Sequence, residues 1–280
     1  MTPDLVLCIR TADRPGIVAA VATTLAGADW DIRDAAVYGD PQTGQFFVRM
    51  HLAGQGNAAD LQRLLGPIRQ ALELDLSIHD LGQKLRTLIA VSKQDHCLVD
   101  LIHKTQISAL PIEIVGIVSN HTDFADQAAW HGLAFHHLPV TPDTKQAQEQ
   151  QFRDVIEASG AELTVLARYM QILSDDFASW LDGQCINIHH SFLPSFKGAR
   201  PYHRAHDRGV KLIGATAHYV TADLDEGPII EQDVKRVNHA TTADEMVMIG
   251  RDIEAAVLAR AVRWHAQRRI FRCGDRTIIL

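Results

Sequence analysis

Cysteine is scarce and scattered in this chain of 280 residues: Cys8, Cys97, Cys185 and Cys273 form no C-x-x-C pair. Neither a disulfide framework nor a zinc knuckle can be read from them, and a reducing compartment is expected. Basic residues are not in excess. Lys plus Arg is 27 against 34 Asp plus Glu, a formal net charge of -7, which leaves no basic domain for nucleic acid. Long apolar runs are missing as well. Near the N-terminus only Leu5 to Ile9 is apolar before Arg10, too short for the core of a signal peptide and far below the ~20 residues of a membrane span. The expectation is a soluble, cytoplasmic protein with no membrane or nucleic-acid partner.

Histidine, by contrast, is abundant. There are 15, against 9 Phe and 5 Met, and only His51 and His79 precede residue 85. Five fall at 189, 190, 203, 206 and 218. Because histidine titrates near neutral pH and is the commonest metal ligand, the cluster poses a choice between metal binding, acid/base chemistry and neither. With 46% hydrophobic and 22% charged residues the composition is that of an ordinary globular protein, and its length suggests two domains.

Residues 5–79 read as strand, helix, strand, strand, helix, strand. Leu5, Leu7 and Ile9 alternate as in a strand, while Ile17, Val18, Val21 and Leu25 recur at helical spacing, so both present one face to a common core. Asp13-Arg14-Pro15-Gly16 lies where the first strand hands over to the first helix. It is either a plain turn with proline near the helix start or a place where free helix N–H groups hold a carboxylate. D-R-P-G-I-V after a strand, within a βαββαβ unit of this size, resembles an ACT domain, a ferredoxin-like fold. That resemblance implies a small amino-acid effector, glycine or methionine, near Asp13, Pro15 and Gly16. With no second such repeat in the chain, it also implies a homo-oligomer.

The polar stretch 80–84 closes this domain, so the boundaries expected are 1–84 and 85–280. From residue 85 strands and helices alternate with short connections, which argues a mostly parallel, Rossmann-like sheet covered on both faces. Two long strands at 211–221 and 228–237 and a helix at 242–267 follow. Ligands of such sheets gather at the carboxyl ends of the strands. The first crossover turn, Val91-Ser92-Lys93-Gln94-Asp95-His96-Cys97, has no glycine, so a dinucleotide or phosphate cradle of the usual kind is not expected.

Cys185-Ile186-Asn187-Ile188-His189-His190-Ser191 alternates apolar and polar residues. Period two puts Asn187 and His189 on one face and turns His190 away if the strand continues. A core-facing Asn must find partners, so the pair is either functional or a structural hydrogen-bonded pair. Downstream, Asp223, Asp225 and Glu226 crowd a Gly227-Pro228 turn. Such acidic loops are usually solvated, yet this one follows an apolar strand, so one carboxylate can turn inward.

The run N-I-H-H-S-F-L-P-S-F-K-G-A-R-P-Y-H from Asn187, followed by K-L-I-G-A-T-A-H-Y-V-T-A-D-L-D-E-G-P from Lys211, resembles the formyltransferase/hydrolase family that uses formyltetrahydrofolate. The resemblance covers 85–280. It implies that Asn187, His189 and Asp225 are catalytic and that His203 and His218 line the folate site. Leu166 to Leu173 resembles the family's pterin-side wall, with Arg168 and with backbone hydrogen bonds from Met170, Gln171 and Ile172; read from the residues alone, it is equally a strand end feeding a helix. The resemblance further implies folate as substrate with no cofactor and no metal, and a place in one-carbon metabolism serving purine synthesis. The formyltransferases that use a phosphorylated amine carry a Gly/Ser/Asn-rich loop after the first strand. This chain has Ser92-Lys93-Gln94-Asp95-His96 there, which points to water as the acceptor and to hydrolysis of 10-formyltetrahydrofolate to formate and tetrahydrofolate.

Three rivals remain. A metal hydrolase would draw on His203, His206, His189 and His190, but no zinc pattern such as H-E-x-x-H accompanies them. A non-catalytic amino-acid sensor would have lost part of the catalytic set, yet nothing is missing. Formyl transfer to another amine is the third.

Overall fold

A computed structural model describes residues 4–191 and 201–280. The stretch Phe192 to Arg200, part of the motif quoted above, lies outside them. The chain forms two units. The first holds the residues up to Lys84 together with Gln267–Cys273 and Ile278–Leu280; the second holds Leu85–Ala266 and Gly274–Thr277.

The first unit runs β1 (Leu5–Ala12), α1 (Ile17–Ala26), β2 (Asp31–Asp40), β3 (Gln45–Ala53), α2 (Ala58–Ala71) and β4 (Asp75–Asp80). Its four strands form a sheet in the order β2-β3-β1-β4, antiparallel throughout. The alternation of Leu5, Leu7 and Ile9 points them to the face covered by Ile17, Val21 and Leu25 of α1 and Leu61 and Leu65 of α2. Asn57 caps α2, accepting from the backbone N–H groups of Ala59 and Asp60 while Asp60 accepts from the Asn57 N–H, a reciprocal arrangement that satisfies otherwise orphaned donors.

The second unit contains β5 (Leu85–Val91), α3 (His96–Gln106), β6 (Ile112–Ser119), α4 (Ala125–Trp130), β7 (Phe135–His137), α5 (Lys145–Ser159), β8 (Leu163–Leu166), α6 (Asp175–Trp180) and β9 (Cys185–His189). After these come α7 (Pro201–Asp207), β10 (Leu212–Tyr219), β11 (Ile229–Arg236) and α8 (Ala243–Ala266). The strand order is β11-β10-β9-β8-β5-β6-β7. Pairs from β9 to β7 are parallel, whereas β10 and β11 run antiparallel. The fold is thus a mostly parallel, Rossmann-like α/β sheet. No described helix is long and apolar enough to cross a membrane.

The sequence reading places everything after Lys84 in one domain, and here the structure differs. The last segment, with β12 (Ile270–Cys273) and β13 (Arg276–Ile279), contributes most of its residues to the first unit. Arg49 donates through Nε and Nη2 to the Gln267 carbonyl at 3.3 and 3.1 Å, and Phe271 meets Phe47 edge-on at 5.6 Å. Strands of four residues carry too little periodicity to announce such a return.

Candidate active site

Four chain segments meet at the carboxyl ends of β5, β8 and β9, where a sheet of this kind binds its ligands. Strand β9 is hydrogen-bonded to β8 on one side, with Leu166 opposite Asn187. On the other side it pairs with β10, with His218 opposite Asn187 and Thr216 opposite His189. Period two therefore brings Asn187, His189 and His218 together, although His218 is 31 residues from Asn187 in sequence.

His218 is almost fully buried. Its Nδ1 lies 2.9 Å from the Tyr219 carbonyl, and because a carbonyl only accepts, Nδ1 carries the proton. In the neutral ring Nε2 then accepts from the Asn187 amide at 3.2 Å. That contact fixes which way the amide faces and leaves its second N–H for a ligand. Asp225 turns inward as expected. Its Oδ2 is 3.3 Å from His189 Nδ1 and its Oδ1 is 3.7 Å from His218 Nε2. Burial opposes its charge, but the hydrogen bond from His189 offsets that, and the carboxyl is held well below the usual carboxylate range. Asp225 has φ 60°, a left-handed conformation that Asp tolerates better than most residues. Two residues on, Gly227 lies so close to β10 that a Cβ would come within 1.9 Å of the Tyr219 carbonyl oxygen. The remaining nitrogen of His189, Nε2, is buried with no partner among the described residues.

All of these groups line one cavity of about 740 Å³, together with Arg168, Met170, Gln171, Ile172 and His203. The structure thus brings every sequence-assigned folate-side residue to the same walls. Two details depart from the sequence reading. The Met170 N–H donates to Ser92 Oγ at 2.9 Å, so it is taken rather than offered to a ligand. His190 does not face away: β9 ends at His189, the alternation lapses, and the two imidazoles stack at 4.9 Å. Burial, Arg168 and His189 push the His190 pKa down to about 4, so this ring is neutral at neutral pH.

The sequence reading missed a second cluster on the same cavity. Glu254 of α8 is 1% exposed, accepts from Tyr202 Oη at 2.7 Å, and lies 2.8 Å from His96 Nε2 and 3.4 Å from Arg168 Nε. Arg168 Nε also donates to Gln94 Oε1 at 2.9 Å. Burial opposes the charge of Glu254, yet His96 and Arg168 lower its pKa below the ordinary value. The available signal was an acidic residue within the apolar stripe Met246, Ile253, Val257 of a helix. His96, Cys97 and Glu254 have metal-ligand spacing, but a cation there would meet the Arg168 guanidinium, and burial raises the Cys97 thiol well above its ordinary pKa. His203 lines the cavity, and the exposed His206 faces Asp207.

In the first unit, Asp13, Pro15 and Gly16 line a shallow depression with Ile17, Val18 and Phe46. Gly16 caps α1 with φ 95°, a conformation that side chains strain to adopt. Pro15 precedes this cap, and α1 carries no acidic residue in its first turn.

Residues 85–262 match the family model described as formyl transferase. Over 98% of this chain and 97% of the relative, the sequence is 47% identical to a formyltetrahydrofolate deformylase of Corynebacterium sp. (strain P-1). The chain belongs to the formyltetrahydrofolate deformylase family. A solved structure of the deformylase from Burkholderia mallei is 49% identical, covers 99% of both chains and superposes with a TM-score of 0.95. The glycinamide ribonucleotide transformylase 1 of Symbiobacterium toebii is more distant. It is 26% identical, matches 71% of this chain and 95% of its own, and has a TM-score of 0.66.

Proposed function

We propose that Asn187, His189 and Asp225 carry out the hydrolysis of 10-formyltetrahydrofolate to formate and tetrahydrofolate. The observation that carries this assignment is the convergence of a charged carboxylate, an amide N–H and an imidazole nitrogen with no partner among the described residues on one cavity wall. Asp225 orients a water against the formyl carbon and takes its proton as the C–O bond forms. The Asn187 amide and His189 Nε2 donate to the carbonyl oxygen as it becomes an oxyanion, each such donor contributing on the order of 10²–10³ in rate. A carboxyl of low proton affinity is a modest base and a strong acid, so it passes the proton on to N10 as the C–N bond breaks. The part of the cavity lining that is open to solvent includes the exposed Met170, Ile172 and Leu224, apolar surface suited to a flat pterin and aryl ring.

The folate is substrate, and the reading calls for no resident cofactor or metal. The first unit has the strand order of an ACT-like fold, and its depression at Asp13, Pro15 and Gly16 fits a small amino acid, glycine or methionine, held by the open N–H groups of α1 in a cytoplasmic homo-oligomer. Release of formate and tetrahydrofolate in equal amounts from 10-formyltetrahydrofolate, without added amine, tests the hydrolytic reading; no formate would overturn it. A change in turnover with glycine or methionine, lost in Gly16→Val, tests the effector site.

A further inference from the structure

The same fold serves a glycinamide ribonucleotide transformylase in S. toebii, so the fold alone does not dictate that water is the nucleophile. Something local must. The inner end of the cavity is closed by side chains already committed to one another. Both oxygens of Glu254 are held, one by Tyr202 Oη and one by His96 and Arg168, and Arg168 is further tied to Gln94. Such a network offers no free carboxylate or carbonyl with which to bind an incoming amine, and its guanidinium repels any amine that arrives protonated.

Two backbone features show that the fold is arranged around these side chains. Arg168 has φ 63°, where glycine is at ease and an arginine costs about 1 kcal/mol or more. Yet a large, charged and buried side chain stands there. On α8, a Cβ at Gly250 would come within 2.1 Å of the Tyr202 ring, so the absence of a side chain at 250 is what admits Tyr202 beside Glu254. The network also borders the catalytic groups, because the Arg168 charge contributes to the lowered pKa of His190, and His190 stacks on His189.

We propose that Arg168, held by Gln94 and by the Glu254 carboxylate that His96 and Tyr202 fix, determines nucleophile specificity by filling the buried end of the cavity and restricting attack on the formyl carbon to water. This rests on the hydrolytic reading of Asn187, His189 and Asp225. Removing the arginine side chain should let a small uncharged amine take the place of water: its nitrogen attacks the formyl carbon, the bond to N10 breaks, and the amine proton passes to N10.

The test uses the full-length chain, 10-formyltetrahydrofolate carrying a ¹³C-labelled formyl group, and glycinamide at a pH where it is uncharged. Formate and N-formylglycinamide are counted separately by NMR. Wild type is expected to yield formate. Arg168→Gly, which relieves the backbone at φ 63° and so favours folding, is expected to raise the ratio of formylated amine to formate at least about tenfold. Glu254→Gln, which removes the charge paired with the guanidinium and loosens its hold while keeping the side-chain shape, is expected to shift the ratio in the same direction and decides the matter alone should the first variant not fold. The ratio does not depend on how much enzyme is folded, so a merely structural role would leave it unmoved. An unchanged ratio in the folded variants, or ready formylation of glycinamide by wild type, overturns the proposal. Failure of wild type to release formate counts instead against the hydrolytic reading.

Discussion

Asp225 is held charged beside His189, and in the proposed mechanism that charge positions the water. Asp225→Asn keeps the shape and removes the charge, so turnover should fall by about 10²–10⁴ while tetrahydrofolate affinity, measured by calorimetry, changes little. Asn187→Ala should lower kcat by about 10²–10³ with KM nearly constant; a loss confined to KM would mean the amide binds substrate and transition state alike. His190 gives a stability prediction of definite sign. Its folded pKa is about 4 against an ordinary 6.5, so between those values the unfolded chain binds more protons and stability falls as pH drops. Asp225 and Glu254, both lowered from their ordinary 3.8 and 4.5, add acid sensitivity of the same sign only below those values. Melting temperatures between pH 6.5 and 4.5 should therefore depend less steeply on pH in His190→Gln, and an unaltered slope would refute the assignment.

At the scale of elements, β9, β10 and the loop after β10 do the positioning. The alternation at 185–189 made Asn187 and His189 legible as a pair, because strand period two needs no tertiary information. That β10 would pair antiparallel and set His218 against Asn187 was not legible, since register depends on the partner strand. The loop after β10 is pinned by the Tyr219 N–H donating to the Pro228 carbonyl at 3.0 Å and by the close approach of Gly227. Gly227→Ala must push this loop away and displace Asp225, and a shift of about 1 Å in a catalytic group costs on the order of 10² in rate. Single-turnover kinetics should show that loss in the chemical step, with the fold preserved by circular dichroism.

Across the whole molecule, the periodic segments of each unit could be followed along the chain, but the path of the last residues could not. Phe271 lies against Phe47 of β3, so Phe271→Ala should destabilise the first unit by about 1–3 kcal/mol. Hydrogen exchange of β1 and β3 amides reads this directly, and unchanged protection there would show that the C-terminal segment adds nothing to that core.

The sequence by itself determined the periodic elements, the two-part organisation and the placing of Asn187 and His189 on one face of β9, because hydrophobic period and strand alternation are local properties of the chain. It also carried the motifs around Asn187 and Asp225 and the missing glycines after β5. Only the tertiary structure decided which side chains gather beside that turn. Gln94 and His96 share one turn, while Arg168, Tyr202 and Glu254 come from three other stretches of chain, and a buried charge network exists only where folding brings its members within hydrogen-bonding distance. The same holds for the histidines. Their number drew attention to the second unit, but burial and neighbours alone set His189 against Asp225 and His218 against Asn187, and made His190 a neutral stacking partner.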